Sequence, residues 1–276
     1  MKVRTITAAI ILAVAIPILI FSKYIVYPIA LALVALAAVF ELLRVIGAHR
    51  EWIISVPAYI ISLALPLSAY FVTESTRIIY LLSAAAVVFA YMLYLMCAAV
   101  FSHGRIAFSK IGEAFVAVTY IVISLSSLST IRYMTHGMFC FLLVFLTAWG
   151  SDVMAYVVGS LIGKHKLIPE VSPKKTVEGA IGGILSAILA CILYGYIIEC
   201  LTDVCANYLS LSLIGLLLSV VSQIGDLIAS LIKREYGVKD YGNLLPGHGG
   251  IMDRFDSVLA VSAPLMVICL VIPPFQ

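Results

Sequence analysis

Charged residues are scarce in this chain, and their scarcity excludes a water-soluble protein. Asp, Glu, Lys and Arg make up only 11% of the 276 residues, whereas a soluble protein of this length has about a quarter. Apolar residues make up 63% of the sequence, and the mean hydropathy is +1.16. Apolar windows of about twenty residues recur from end to end, as in proteins that cross a membrane repeatedly. We therefore predict an all-α, polytopic integral membrane protein.

Nine of these apolar windows are long enough to be transmembrane helices. They cover residues 5–21, 25–46, 52–72, 78–101, 111–131, 138–162, 179–201, 208–232 and 257–273. The charged start Met1-Lys-Val-Arg resembles that of a signal peptide, but no small-residue cleavage site follows the first window. We therefore expect the first helix to be retained.

Several common motifs are also absent. The sequence has no GxxxxGKS/T or GxGxxG element, so any nucleotide would be bound without a P-loop or a Rossmann unit. No internal repeat indicates an inverted-repeat transporter. The six cysteines lack the spacing of a zinc site. Four lie in apolar runs, while Cys200 and Cys205 flank a short loop and would be placed for a disulfide in an oxidising compartment.

The basic residues predict the orientation. With nine spans, fourteen of the 17 Lys and Arg residues fall on the side of the N-terminus, including Lys2 and Arg4. Only Lys23, Arg77 and Arg132 fall on the other side. This asymmetry predicts a cytoplasmic N-terminus and an external C-terminus. The net charge of +3 follows from the same bias, so we expect no nucleic-acid partner.

Polar residues divide the chain into two regions. Residues 1–135 have short loops and read as a transmembrane scaffold. Residues 136–276 contain acidic residues inside apolar runs and two longer cytoplasmic loops, 163–178 and 233–256. We therefore predict that this second region carries the chemistry.

One intramembrane acid, Asp226, belongs to a polar stripe in the eighth window. Ser222, Asp226, Ser230 and Arg234 recur at every fourth residue, so they share one helix face. A carboxylate at membrane depth costs about 2.5–3.5 kcal/mol on insertion scales and needs a polar cavity or a partner. A structural Asp–Arg pair between helices is the alternative to a functional role.

A second intramembrane acid, Asp152, shares a face with Tyr156, Gly159 and Gly163. Glycines let another helix or a ligand approach the backbone closely. For this face, a packing role and a direct functional role are equally consistent with the sequence.

The segment SPKKTVEGAIGG predicts a helix start. Ser172 suits an N-cap and Pro173 suits the first helical position. The unpaired N–H groups of such a helix, beside Lys174 and Lys175, would form a phosphate site. The alternative is that these two lysines only set the topology.

A further polar segment is KDYGNLLPGHGGIMDRFDS, residues 239–257. Its glycines allow close approach to a ligand, and Asp253 and Asp256 share a face if the last helix begins near Ile251. Carboxylates and hydroxyls suit Mg²⁺, which is held by one or two carboxylates together with substrate phosphates. We expect Asp226 and Asp253 to meet at one metal ion. His248 is either an acid–base group or a hydrogen-bonded loop residue.

The run SLIKREYGVKDYGNLLPGHGGIMDRFD, residues 230–256, resembles the full signature of the phosphatidate cytidylyltransferase family. The matching positions are Ser230, Lys233, Arg234, Lys239, Asp240, Pro246, His248, Gly249, Gly250, Asp253, Arg254 and Asp256. The stretch SPKKTVEG is similar to a second block of that family. The length and the nine-span layout fit as well.

The resemblance implies an enzyme that transfers CMP from CTP to phosphatidic acid, releasing pyrophosphate and CDP-diacylglycerol for phospholipid biosynthesis. It implies a Mg²⁺ cofactor held by Asp226 and Asp253, a membrane-lipid substrate and a homodimer. The residues that we expect to act in catalysis are Asp226, Asp253, Lys233, Arg234 and Asp256. Those that we expect to bind substrate are Ser172, Lys174, Lys175, Ser222, Ser230, Lys239, Asp240, His248, Gly249, Gly250 and Arg254.

Two other functions are consistent with parts of the pattern. A CTP-dependent polyprenol kinase would also use CTP and a lipid, but it would release CDP instead of pyrophosphate. A transporter would also have intramembrane acids. The signature favours the cytidylyltransferase, and the compact chain suits a bacterial inner membrane.

Overall fold

In the computed structural model, residues 2–276 are described, except for the side chains of residues 2–4 and 8. The predicted placement of the Lys2 and Arg4 charges therefore lies outside the described part. Within residues 2–276 the chain forms nine α-helices, a 3₁₀ turn at Ala69–Phe71 and one β-hairpin. The helices are α1 (Lys2–Ile20), α2 (Val26–Val45), α3 (Trp52–Ser68), α4 (Arg77–Phe101), α5 (Phe108–Arg132), α6 (Gly137–Ile162), α7 (Val177–Leu201), α8 (Tyr208–Glu235) and α9 (Met252–Val271).

The helices confirm the all-α membrane architecture. Over the described residues, eight of them (α2 to α9, with α3 extended by the 3₁₀ turn) are long and apolar enough to cross a membrane. The apolar part of α1 is shorter, Thr5–Ile20. Side-chain burial differs greatly between helices. In the most apolar window of α4 only 11% is buried, whereas in that of α5 72% is buried. An apolar helix with so little buried surface is suited to contact with lipid.

The chain divides into two compact units. The first contains Met1–Met134 and Val238–Arg254, and the second contains Thr135–Gly237 and Phe255–Gln276. The segment that carries Asp253 therefore belongs to the same compact unit as α1 to α5. The predicted division of roles between residues 1–135 and 136–276 stays a prediction.

The first unit is built around α2, α3 and α5, which pack on one another. Small and branched apolar side chains of these helices are fully buried, among them Ala35, Ala58 and Ile121. The loop that begins at Val238 is tied to this unit by side chains of α1 and α2. Thr7 Oγ1 donates to the Pro246 carbonyl oxygen (2.8 Å), and Arg44 Nη2 donates to the Tyr241 carbonyl oxygen (3.0 Å).

The second unit is built around α6, α7 and α8. Glycines let α6 and α7 approach closely, since a Cβ atom at Gly159 would lie 2.7 Å from Thr176 Oγ1 and 3.5 Å from Gly179 Cα. The prediction of a close approach along the Gly159 face is thus confirmed, and the approaching group is a helix. Asn207 caps α8 by accepting the Ser210 N–H (3.1 Å), as expected of an N-cap asparagine.

The predicted helix start at Ser172 is wrong. Ser172–Thr176 forms strand β2, which pairs antiparallel with β1 (Lys166–Ile168). The helix begins later because Thr176 provides the N-cap and accepts the Gly179 N–H (3.1 Å). Pro173 is tolerated because a two-stranded hairpin has only edge strands. The backbone N–H groups of residues 173–176 therefore belong to a strand, and the first turn of the helix begins at Val177.

Candidate active site

The second unit brings Asp226 and Lys175 together. Asp226 lies on α8 and Lys175 on β2, and Lys175 Nζ is 2.6 Å from Asp226 Oδ2. The Asp226 side chain is 29% exposed and the Lys175 side chain is 23% exposed, so solvent screens their interaction only partly. Apart from this ion pair, the ammonium group has no hydrogen bond among the described residues. Lys174, on the other side of the strand, is exposed.

Two further carboxylates of this unit belong to the same electrostatic environment. Asp152 Oδ2 accepts a hydrogen bond from Ser257 Oγ (2.8 Å) and interacts electrostatically with Lys175 and Asp226. Asp256 interacts with Asp226, Asp152 and Lys233. Three acids and two lysines are thus close enough to influence one another, although they come from separate elements, α6, β2, α8 and α9. The second unit thus contains acidic and basic side chains in one polar environment.

The first unit holds Asp253 at the start of α9. Asp253 Oδ2 accepts the backbone N–H groups of Tyr241 (2.8 Å) and Gly250 (3.0 Å). The helix begins at Met252, so its predicted start near Ile251 is confirmed. Two backbone donors on one oxygen limit the rotation of the carboxylate, and the loop thereby determines where Asp253 points.

Glu41, a buried acid of α2, is a further candidate that was not predicted from the sequence. This residue is 3% exposed, and its two carboxylate oxygens accept the N–H groups of Ile251 (3.1 Å) and Met252 (2.9 Å). The signal was present, since Glu41 is an acid inside an apolar run, like Asp152 and Asp226. It was overlooked because it lies far from the signature in sequence.

The remaining predicted residues lie on α8, the hairpin and the 238–254 segment. Ser222 is fully buried and Ser230 is half-buried on α8, while Arg234 is exposed at its end. Ser172 is half-buried, and Lys239 and Asp240 are exposed. Gly249 has a positive φ of 85°, which favours glycine. Arg254 Nε donates to the His248 carbonyl oxygen (2.8 Å).

His248 has a distinct environment. Its backbone N–H donates to the Leu245 carbonyl oxygen (2.8 Å), and its Nδ1 atom is buried without a hydrogen bond among the described residues. The Nδ1 atom therefore has no hydrogen-bond partner among the described residues. Both expected roles of His248 stay predictions.

The donor set suits a hard divalent cation that keeps other ligands. Within residues 2–276, no group of three or more His, Cys, Asp or Glu side chains forms a ready-made metal cage. Mg²⁺ is commonly held by only one or two carboxylates and completes its octahedron with water and substrate phosphates. The carboxylates of Asp226 and Asp253 are of the ligand type that suits Mg²⁺, whereas structural zinc sites use Cys and His ligands.

Comparison with known proteins identifies the family. The profile of the cytidylyltransferase family matches residues 2–272. A phosphatidate cytidylyltransferase of Staphylococcus epidermidis is 38% identical over 276 residues, covering 98% of this chain and 99% of the relative. Those of Staphylococcus haemolyticus and Staphylococcus aureus are 36% and 37% identical over 278 and 273 residues, with the same coverage. The chain belongs to the cytidylyltransferase family, and it is a nucleotidyltransferase.

Proposed function

We propose that the protein transfers CMP from CTP to phosphatidic acid, forming CDP-diacylglycerol and pyrophosphate. The observation that carries this proposal is the similarity, over nearly the full length, to relatives named phosphatidate cytidylyltransferase. Both substrates fit the molecule, because the polar site supplies cationic groups for phosphates and the apolar helices accommodate acyl chains.

The reaction needs no nucleophile from the protein. A phosphate oxygen of phosphatidic acid attacks the α-phosphorus of CTP, a new P–O bond forms, and the bond to pyrophosphate breaks. The protein contributes by aligning the two substrates and by neutralising the charge that builds up on their oxygens. Lys175 and Lys233, which already lie near acidic groups, are proposed to bind phosphate oxygens, as are Arg234 and Arg254.

Asp226 and Asp253 are proposed as ligands of Mg²⁺. When bound, Mg²⁺ draws electron density from the phosphate oxygens and orients them for displacement. Support for Asp226 comes from its pairing with an ammonium group at 2.6 Å, since a carboxylate accessible to one cation is suited to another. Support for Asp253 comes from the two backbone N–H groups that orient its carboxylate. We assign Asp256 and Asp152 to the electrostatic environment of Asp226.

The other residues are proposed to bind or shape the substrate site. They are Ser172, Lys174, Ser222, Ser230, Lys239, Asp240, His248, Gly249 and Gly250. Because the relatives are bacterial, we propose the cell membrane as the location, with the N-terminus and both polar loops in the cytoplasm. The family resemblance also leads us to propose a homodimer, which crosslinking in membranes would test.

The proposal is tested by incubating the purified protein with labelled CTP, phosphatidic acid and Mg²⁺. We expect equal amounts of CDP-diacylglycerol and pyrophosphate, whereas release of CDP would indicate a kinase instead. Asp253→Asn keeps the shape of the side chain but removes its charge, so turnover should be abolished if the carboxylate holds the metal ion. Retained turnover in a folded Asp253→Asn variant would refute the metal role.

A further inference from the structure

A buried acid of the N-terminal scaffold holds the backbone that precedes Asp253. Glu41 is four residues from the end of α2, and both of its oxygens accept N–H groups from the start of α9. The first N–H groups of a helix have no partner within the helix and carry partial positive charge. A carboxylate at this position therefore stabilises the start of α9, and it does so from a helix that is about 210 residues away in sequence.

Two glycines of the loop are packed against the same carboxylate. A Cβ atom at Gly242 would lie 2.6 Å from Glu41 Cδ, and one at Gly250 would lie 2.7 Å from it. Neither glycine has a positive φ, so it is this close approach, and not the backbone conformation, that requires glycine here. The loop thus surrounds the Glu41 side chain, which explains why so large a residue is 3% exposed.

The same helix turn holds the loop at a second point. Arg44, three residues after Glu41, donates to the Tyr241 carbonyl oxygen (3.0 Å). The N–H group of Tyr241 in turn donates to Asp253 Oδ2 (2.8 Å), and Gly250 donates to the same oxygen. Of the two residues that orient Asp253, α2 holds Tyr241 through Arg44. Glu41 packs against the other, Gly250, and accepts the N–H groups of the two residues that follow it, Ile251 and Met252.

We infer that Glu41 is a positioning residue for cytidylyl transfer, acting by holding Gly250–Met252 so that the Asp253 carboxylate is correctly oriented. This inference rests on the proposed function, because it gives Asp253 a role in metal binding. Glu41 itself touches no substrate in this account. Its substitution should therefore change the concentration of Mg²⁺ that the reaction needs, which a residue of purely structural importance would not do in a folded protein.

The test compares Glu41→Gln with Glu113→Gln in the full-length protein. Both changes remove one negative charge, but Glu113 is exposed on α5. In Glu41→Gln the new amide would offer one acceptor oxygen and would direct its NH₂ group at the other backbone N–H. We expect faster hydrogen exchange at residues 250–254, at least about a tenfold lower kcat, equivalent to about 1.4 kcal/mol, and a several-fold higher half-saturating Mg²⁺ concentration. Glu113→Gln should match the wild type in all three measurements.

Unchanged exchange at residues 250–254, or an unchanged kcat and Mg²⁺ requirement, would overturn the inference. If Glu41→Gln does not fold, Glu41→Asp keeps the charge and withdraws the carboxylate by one methylene group. The kcat of Glu41→Asp should then lie between that of the wild type and a value ten times lower. Wild-type hydrogen exchange and a wild-type Mg²⁺ requirement in this variant would again overturn the inference. If the wild-type protein makes no CDP-diacylglycerol, the proposed function fails, while hydrogen exchange still decides whether Glu41 holds the start of α9.

Discussion

Replacing Lys175 by Met removes the ammonium group that lies 2.6 Å from Asp226 but keeps a long, unbranched side chain. Lys166 provides a matched control, because it has the same charge and lies on the paired strand β1 but is exposed and has no proposed role in the site. If Lys175 binds a phosphate of CTP, Lys175→Met should lower kcat/KM for CTP far more than Lys166→Met.

The expected magnitude follows from the environment of the pair. The Lys175 side chain is 23% exposed, and its Nζ atom is buried without a hydrogen bond among the described residues. Apart from the ion pair with Asp226, its N–H groups have no partner among the described residues, so they are available to an anionic ligand in a partly desolvated site. A hydrogen bond to a charged group contributes about 1.5–3 kcal/mol, and each 1.4 kcal/mol is about a factor of ten. We expect kcat/KM to fall by about 10- to 100-fold.

The assay is initial-rate kinetics with labelled CTP and phosphatidic acid in mixed micelles, at saturating Mg²⁺. Lys166→Met should stay within about fivefold of the wild type, since an exposed ion pair contributes about 0–1 kcal/mol. Equal losses in the two variants, or a Lys175→Met enzyme within twofold of the wild type, would contradict the assignment. Folding of each variant is checked by size-exclusion chromatography, so that a loss of activity is not confused with a loss of structure.

Two other predictions address the loop and the topology. Gly250→Ala would place a methyl group 2.7 Å from Glu41 Cδ, so we expect about 1–3 kcal/mol of destabilisation and low activity in a thermal-shift and turnover assay. Gly112→Ala, on α5 with no atom within 4 Å of the new Cβ, should be neutral or stabilise the helix by about 0.5–1 kcal/mol. After the exposed Cys97, Cys200 and Cys205 are replaced by Ser, Asn243→Cys should react with an impermeant thiol reagent only from the cytoplasmic side. Labelling only from outside would reverse the proposed orientation.

The sequence predicted the helices well because hydropathy is a local property. The transfer free energy of a window such as Arg77–Phe101 is the sum over its own residues and does not depend on which helix lies beside it. The start of α9 also rested on a local condition, because Asp253 and Asp256 share a face only if the helix begins near Ile251, and it begins at Met252. At Ser172 the same local reasoning failed. Pairing with Lys166–Ile168 and the Thr176 cap outweighed a good local helix signal, because pairing between strands is not visible in either strand alone.

For the candidate site, too, some features follow from local sequence and others only from tertiary packing. The sequence by itself determined that Asp226, Asp253 and the basic residues near them are available for chemistry, because an acid in an apolar helix or a charged loop beside it is recognisable from its immediate neighbours. Only the tertiary structure decided that Lys175 and not Lys174 contacts Asp226, and that Glu41 accepts the N–H groups that begin α9. These choices depend on helix rotation and strand register, which arise when elements far apart in the chain pack together.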